Sequence, residues 1–180
     1  MAARVVKARR AAPVGVESVL KQGLAPQIPP ASRLVLLGSF PGEASLQQSQ
    51  YYAHPQNQFW RLLGDVLEEP LAALPYARRL QRLARHRIGV WDIITNCERE
   101  GSLDGSIRHA VLSQFEWLAD HAPKLRVVAL NGQKAGSARQ RIEALGYDAL
   151  VLPSSSLAYT LPYATKLEAW LALRDHLKTV

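Results

Sequence analysis

The feature that most constrains the fold is a set of four short apolar runs separated by segments with helical periodicity. Each run is followed by Gly, Asn, Thr or Pro, a pattern typical of buried strands. The runs cover residues 34–37, 89–94, 125–130 and 149–152. Strands that alternate with helices along a chain form a parallel sheet with helices on both faces. The sequence therefore predicts an α/β fold around a short sheet of about four parallel strands.

The segments between the runs predict where the helices and loops lie. Apolar residues recur at helical spacing, and Ser113 with Glu116 resembles a capping box at the start of one helix. We expect helices at residues 57–67, 75–86, 113–121, 133–145 and 162–177, with a weaker one at 15–24. Residues 38–55 show no helical period and are predicted to form a long loop, as are residues 101–105.

Composition excludes several classes of protein. The only cysteine, Cys97, rules out an internal disulfide framework, a cysteine-based zinc site and a four-cysteine iron–sulfur cluster. No apolar run approaches the ~20 residues of a membrane span, and the basic N-terminus lacks the apolar stretch of a secretory signal. We therefore expect a cytoplasmic protein that is a monomer and needs no metal or cofactor.

The positive charge is concentrated in two parts of the chain. Lys and Arg number 22 against 15 Asp and Glu, which gives a net charge of +7. Residues 1–13 are predicted to be a flexible basic arm, and residues 14–180 a single domain. The two clusters are Arg4, Lys7, Arg9 and Arg10 in the arm, and Arg78, Arg79, Arg82, Arg85 and Arg87 in or beside the second helix. Local positive charge favours a polyanion such as nucleic acid, although solvated basic helix faces are common.

Small and polar segments follow all four predicted strands. They are Gly38-Ser39-Phe40-Pro41-Gly42, Thr95-Asn96-Cys97, Asn131-Gly132, and Pro153-Ser154-Ser155-Ser156. The carboxyl ends of parallel strands meet at one edge of the sheet, where ligands bind in open α/β folds. Within the second strand, Asp92 is either a site acid or base or a structural hydrogen-bonding group. We interpret Cys97 as buried and structural, and Lys166 and His176 as solvated.

Residues 51–60 hold the densest group of aromatic and amide side chains in the chain. Phe59 and Trp60 fit the apolar face of a helix, whereas the polar ends of Tyr51, Tyr52, His54 and Asn57 would be wasted in a plain core. Aromatic faces stack on bases and amides read base edges, so this group favours a nucleobase site. For Asn57 a simple helix N-cap is the alternative.

On residues 36–46 and 51–60 together, the chain resembles the uracil-DNA glycosylase superfamily, and within it the DNA-deoxyinosine (hypoxanthine-DNA) glycosylases. Further matches lie at residues 91–92, 101–104, 130–132 and 152–159, so the resemblance covers about residues 34–170. It implies a three-layer α/β/α sandwich and a monofunctional glycosylase of base excision repair. Such an enzyme hydrolyses the N-glycosidic bond of a deaminated base, here hypoxanthine first, after the base has flipped out of DNA. We expect such an enzyme to be nucleoid-associated when it acts on DNA.

The resemblance also implies roles for individual residues. Phe40 replaces the Asn that positions the attacking water in mismatch-specific uracil glycosylases, and the deoxyinosine glycosylases, which share this loss, rely on the residue matching Asn57. His54 is a second catalytic candidate. The candidates for binding the base are Gly38, Ser39, Phe40, Pro41, Tyr52, Ser154, Ser155 and Ser156, and those for the DNA backbone are Arg78, Arg79, Arg82 and Arg85. The serine segment matches the family's Asn-Pro-Ser-Gly only loosely.

Three alternatives stay open at this point. The same fold could act on uracil in mismatched or single-stranded DNA. A non-catalytic module could recognise lesions with the same motifs. A serine hydrolase could use Ser39 or one of the serines at residues 154–156 with a histidine.

Overall fold

Two separate sheets organise residues 20–178, the part of the chain described by the computed structural model. The strands are β1 (Leu20–Gln22), β2 (Leu34–Gly38), β3 (Ile88–Asp92), β4 (Ile94–Glu98), β5 (Arg108–Leu112), β6 (Val127–Asn131) and β7 (Asp148–Leu152). The α-helices are α1 (Glu43–Gln48), α2 (Phe59–Leu67), α3 (Tyr76–Arg85), α4 (Trp117–His121), α5 (Gln133–Gly136), α6 (Arg139–Ala144), α7 (Tyr163–Trp170) and α8 (Leu173–Leu177). Short 3₁₀ turns lie at Leu71–Ala73 and Asp104–Ser106.

The predicted parallel sheet is confirmed. Its four strands run in the order β3-β2-β6-β7, and every neighbouring pair is parallel. The central strand β2 is buried along its whole length because it has a strand on each side and helices above and below. Right-handed crossovers with this strand order place α2 and α3 on one face of the sheet, and α5 and α6 on the other. The result is the expected three-layer α/β/α arrangement.

The second sheet was not predicted. Its antiparallel strands run in the order β1-β4-β5. The prediction of one strand over residues 89–94 was wrong at its end, because the chain leaves the parallel sheet after Asp92 and enters β4 at Ile94. The predicted helix over residues 15–24 was also wrong at Leu20–Gln22, which form β1 against β4.

Several helix predictions need correction. Residues 38–55 are not a continuous loop, because α1 lies within them. The helix predicted from residue 113 starts only at Trp117, and the Ser113 hydroxyl donates to the Asp92 carbonyl (2.7 Å) instead of capping it. The long helices predicted at residues 133–145 and 162–177 are each divided into two. The prediction for α2 was correct to within two residues and that for α3 to within one.

The core beneath α2 and α7 is aromatic. Phe59 on α2 meets Trp60 edge-on at 5.0 Å and Trp170 of α7 edge-on at 5.7 Å between ring centroids. Phe59 and Trp170 are fully buried. This core fixes the start of α2 against the sheet, directly below the loop that carries Tyr52.

The predicted basic arm at residues 1–13, with Arg4, Lys7, Arg9 and Arg10, lies outside the described residues. That residues 14–180 form a single domain stays a prediction. Within residues 20–178, no helix is both long and apolar enough to cross a bilayer.

Candidate functional site

The polar segments that follow the parallel strands meet at one edge of the sheet. Gly38 lies beside Asp92 in the register of β2 and β3, and Asn131 lies beside Leu152 in that of β6 and β7. The loops beyond these strands bond to one another. The backbone N–H of Gln58, just before α2, donates to the carbonyl of Ser155 (3.0 Å). The Tyr52–Asn57 turn and the serine loop therefore share a rim with the loop after β2.

Gly38 allows the closest approach in this site. A Cβ atom at this position would overlap the Asp92 carboxyl oxygen Oδ1 and would lie 2.9 Å from the Tyr52 hydroxyl. A residue with a side chain would therefore push Asp92 and Tyr52 away from the strand end. Packing alone therefore requires glycine at position 38, independently of any ligand.

The loop at residues 38–42 leaves two backbone N–H groups without a partner among the described residues and buries its aromatic ring. The N–H groups of Ser39 and Phe40 donate no hydrogen bond within residues 20–178. The Phe40 ring is buried, with the Arg99 guanidinium 4.9 Å from its centroid. Phe40 was predicted to bind the base. Because its ring is buried, only its backbone N–H is left to bind a ligand.

A segment from the second sheet clamps this loop. The Arg99 guanidinium donates to the carbonyls of Phe40 (3.5 Å) and Pro41. The Ser39 hydroxyl donates to Asp104 Oδ1 (2.5 Å), and the Glu43 N–H donates to the Ser102 hydroxyl (2.9 Å). Sequence reasoning missed Arg99, because an isolated arginine after an unrecognised strand carries no local signal.

Tyr52 is held by its ring and not by its hydroxyl. The ring stacks on Phe59 with centroids 3.6 Å apart and planes within 8°. The backbone has φ of 54°, a left-handed conformation that turns the ring back over α2. The hydroxyl is buried without a hydrogen-bond partner among the described residues, and burial raises its pKa. A base stacking on Tyr52 would use the face opposite Phe59.

Tyr51, in contrast, belongs to the core. Its hydroxyl donates to the Leu24 and Ala25 carbonyls (both 3.2 Å), and its carbonyl accepts the indole N–H of Trp60 (3.1 Å). The interpretation of Tyr51 as one of the functional group at residues 51–57 was therefore wrong, since its polar end is consumed by structural bonds.

The two catalytic candidates lie in the turn before α2. His54 is exposed, and its Nδ1 accepts the Gln56 N–H (3.2 Å). Asn57 Oδ1 accepts the Phe59 N–H (2.9 Å) at the start of α2, so it serves a capping function although Gln58, one residue later, is the helix N-cap. The Asn57 amide nitrogen donates no hydrogen bond within residues 20–178, so capping uses only the oxygen of the side-chain amide.

The serine loop is fixed by Asn131. Asn131 Nδ2 donates to the Ser155 hydroxyl (2.9 Å), and the Ser155 N–H donates back to Asn131 Oδ1 (2.9 Å). Ser154 and Ser156 accept N–H groups of the residues two positions later, Ser156 and Ala158 (both 3.2 Å). Ser155 thus has a structural partner, and the other two hydroxyls shape the turn.

Lys166 connects two parts of the site and is not solvated, so that interpretation was wrong. It is 1% exposed, and its ammonium donates to Gln58 Oε1 (3.0 Å) and the Ser156 carbonyl (3.3 Å). Burial lowers its pKa. A lone lysine on an amphipathic helix gives no sign in the sequence of such burial. Cys97 is buried, as predicted.

Asp92 is the buried acid of the site. It is 4% exposed, and its Oδ2 has no hydrogen-bond partner among the described residues. Burial raises the pKa of the carboxyl to about 8, with the negative charge of Asp104 adding to the effect and Arg99 opposing it. The group is therefore mostly neutral at pH 7.

The four arginines predicted to contact the DNA backbone do not form one free face. Arg79 donates to the Leu74 (2.8 Å) and Ala72 (3.0 Å) carbonyls and lies over Trp60, and Arg82 pairs with Glu69 at 3.4 Å. Arg78 is exposed and donates to Gln81 (2.9 Å). Arg85 lines a cavity of about 240 Å³ that also includes Arg33, Arg87 and His176. Arg33 and Arg87 precede strands, so Arg85 lies at the edge opposite Gly38.

No group of three or more His, Cys, Asp or Glu side chains suited to a metal ion lies within residues 20–178. The site is built from backbone amides, aromatic rings, side-chain amides and one buried carboxyl.

Comparison with known proteins gives consistent results. The sequence model of the Uracil DNA glycosylase superfamily matches residues 25–176. Two proteins named Hypoxanthine DNA glycosylase are similar: one from Methanosarcina barkeri is 40% identical over 83% of this chain and 95% of its own, and one from Methanosarcina acetivorans is 35% identical over 88% and 100%. A solution NMR structure from Methanosarcina acetivorans, described as a candidate uracil DNA glycosylase, superposes with a TM-score of 0.82 at 36% identity, covering 89% of this chain and 99% of the other.

The adjacent tyrosines provide a matched test of the site's packing. Tyr52→Phe removes a buried hydroxyl that has no partner, so we expect unchanged stability or a gain of up to about 1–2 kcal/mol. Tyr51→Phe removes the same atom from two carbonyl acceptors and should cost about 0.5–1.5 kcal/mol. Urea denaturation of both variants measures the difference. Equal losses would show that the Tyr52 hydroxyl has a stabilising partner after all.

Proposed function

The chain belongs to the Uracil DNA glycosylase superfamily, and from this premise we propose that it hydrolyses the N-glycosidic bond of a deaminated base in DNA, with hypoxanthine as the preferred base. The protein is a DNA glycosylase, and its substrate is DNA. The names of the two Methanosarcina relatives support hypoxanthine in particular. Phe40, which has no amide to orient water, disfavours the uracil route of the mismatch-specific enzymes.

The observation that carries the proposal is the meeting of three kinds of group at one sheet edge. These are the unpaired amides of Ser39 and Phe40, the Tyr52 ring supported from behind by Phe59, and the amide nitrogen of Asn57. A flipped base needs an aromatic surface to stack on and polar groups directed at its edge. The serine loop closes the same rim through Gln58 and Lys166.

The reaction assigned to this site begins when the target nucleotide leaves the stack, which costs a few kcal/mol and less for a mispaired base. Tyr52 would stack on the extruded base. Water then attacks C1′ of the sugar as the bond to the base breaks, and the base takes the electron pair. The Ser39 and Phe40 amides would stabilise that developing negative charge. Asn57 would position the water or bind the base edge, and His54 is a donor candidate.

A monofunctional enzyme is favoured over a lyase. A lyase needs an amine free to attack C1′, and no lysine lies in the motifs that form the site. Lys166, which bonds to the serine loop, is buried and donates to two protein oxygens, and Lys134 lies on α5 beyond the Asn131-Gly132 motif. We therefore propose release of the base without subsequent strand cleavage by the protein.

A panel of duplexes containing hypoxanthine, uracil, xanthine or mispaired thymine tests the activity. We expect purified protein to release hypoxanthine fastest and to leave sites that break only after alkali. Faster release of uracil would support the alternative uracil glycosylase. Binding to the lesion without any alkali-labile site would identify a recognition module and would refute catalysis.

Asn57 can be separated into its two roles by a pair of variants. Asn57→Ser keeps an oxygen that can cap α2, whereas Asn57→Ala loses both cap and amide and should cost about 1 kcal/mol of stability. If the amide acts in the reaction, both variants should lower the single-turnover rate by about 10²–10⁴-fold with little change in DNA affinity. A Ser variant with the original rate would limit Asn57 to capping.

The positions of the basic residues predict which of them contact phosphates. Lys134 is exposed and follows β6 on the same edge as Gly38, whereas Arg85 lies at the opposite edge. We expect Lys134→Ala to lower the slope of log affinity against log salt by about one, and Arg85→Ala to leave it unchanged. Fluorescence anisotropy with an abasic-site duplex measures both slopes. The reverse result would place the DNA across α3, as the arginine cluster alone suggested.

A further inference from the structure

Two buried polar atoms at the end of β2 and β3 have no hydrogen-bond partner among the described residues. They are Asp92 Oδ2 and the Tyr52 hydroxyl. Both side chains converge on Gly38, where the missing Cβ leaves room for them. A buried polar atom without a partner is destabilising, and such atoms in native proteins call for an explanation such as a functional role.

We propose that Asp92 is a base-contacting acid: its neutral carboxyl donates a hydrogen bond to an acceptor atom of the extruded base. This inference rests on the proposed function. The carbonyl oxygen that deamination introduces, O6 of hypoxanthine or O4 of uracil, is the acceptor class that suits such a donor. Asp92 keeps its proton throughout. The C1′–N bond breaks, its electron pair goes to the base, the water oxygen bonds to C1′, and the water's proton leaves to the base or to solvent.

The position of Asp92 supports contact with a base. It is the last residue of β3 and lies beside Gly38 in register, at the edge where the amides of the 38–42 loop and the Tyr52 ring meet. Its backbone carbonyl is already bonded, since it accepts the Ser113 hydroxyl (2.7 Å). Oδ2 of the side chain is thus the atom left to bond to a ligand.

The surroundings of Asp92 favour the neutral form. The facing charged or titratable groups are Asp104 from the 3₁₀ turn, Arg99 beyond β4, and three tyrosines: Tyr51 and Tyr52 from the loop before α2 and Tyr76 from α3. Burial is the largest effect, Asp104 adds to it, and Arg99 opposes it, which together bring the pKa to about 8. Burial raises the pKa of all three tyrosines, so none of them carries a charge near neutrality.

The charge state decides whether Asp92 helps or hinders the reaction. A carboxylate beside a departing base would repel the negative charge that the base acquires, whereas a carboxylic acid donates to it. Activity should therefore be present below the pKa of Asp92 and fall as the pH rises through about 8.

Single-turnover release of hypoxanthine from a duplex, followed from about pH 6 to pH 9, tests the proposal. Asp92→Asn supplies a permanent N–H donor and should keep the neutral-pH rate within about threefold while losing the alkaline fall due to Asp92. Asp92→Ala should be about 10–100-fold slower at neutral pH. Hypoxanthine's own N1–H ionises in the same way with each protein and cancels in the ratio of wild-type to Asn rates. Asp120→Asn, an exposed change of the same charge, is the control and should keep the wild-type profile.

Two outcomes overturn the inference while the proposed function stands. An Asn variant as slow as the Ala variant at every pH would show that an ionised carboxylate is required. An Ala variant with the wild-type rate and profile would show that Asp92 has no part in the reaction. If the wild-type protein releases no base from any duplex, the proposed function fails and this inference fails with it.

A measurement on the wild-type protein covers the case in which a variant does not fold. Carbon-13 NMR of the Asp carboxyls should show one resonance titrating near pH 8. If all Asp carboxyls titrate in the ordinary range around pH 4, the neutral donor does not exist and the inference is overturned.

Discussion

The absence of a side chain at Gly38 is the constraint on which the site depends. Parallel pairing puts Gly38 beside Asp92, and the space that a Cβ would occupy is filled by Asp92 Oδ1 and the Tyr52 hydroxyl. Tyr52 reaches this space because its ring lies on Phe59, and Phe59 is held edge-on by Trp60 and Trp170. The aromatic core therefore sets the position of the stacking surface, and the sheet register sets the position of the acid.

The loops around this centre are held mainly by one another. Asn131 and Ser155 exchange two hydrogen bonds, Lys166 links Gln58 to Ser156, and Arg99 holds the carbonyls of the 38–42 loop. Each contact joins segments far apart in the sequence. Groups fixed in this way before substrate arrives need little reorganisation when charge develops, which is the condition for electrostatic stabilisation of a transition state. The second sheet has its place in this scheme, because β4 carries the chain from Asp92 to Arg99.

The sequence predicts those elements whose burial is reflected in the local spacing of apolar residues. The strand β2 reads as an uninterrupted apolar run because both of its faces are covered, and α2 shows a clear apolar face. The strand β5 is exposed along its whole length, so no alternation marks it. Ile93 and Ile94 are both apolar, so the sequence gives no sign that the chain leaves the parallel sheet and enters the second sheet at this point. Lys166 was predicted to be solvated and Arg79 to contact the DNA backbone, because the sequence does not show that backbone and amide oxygens accept their hydrogen bonds.

The distribution of unsatisfied polar atoms separates the site from the rest of the fold. Four buried side-chain nitrogen or oxygen atoms lack a partner within residues 20–178: Ser32 Oγ, Tyr52 Oη, Asp92 Oδ2 and Arg99 Nε. The last three belong to residues that contact Gly38 or the loop after it. Random imperfections of packing would be scattered, whereas three of these four atoms lie together at the proposed base site. A cost in stability concentrated at one place is what natural selection tolerates when that place binds a substrate. The neighbouring Tyr51, which is buried in the core, has its hydroxyl bonded to two backbone carbonyls and leaves no such gap.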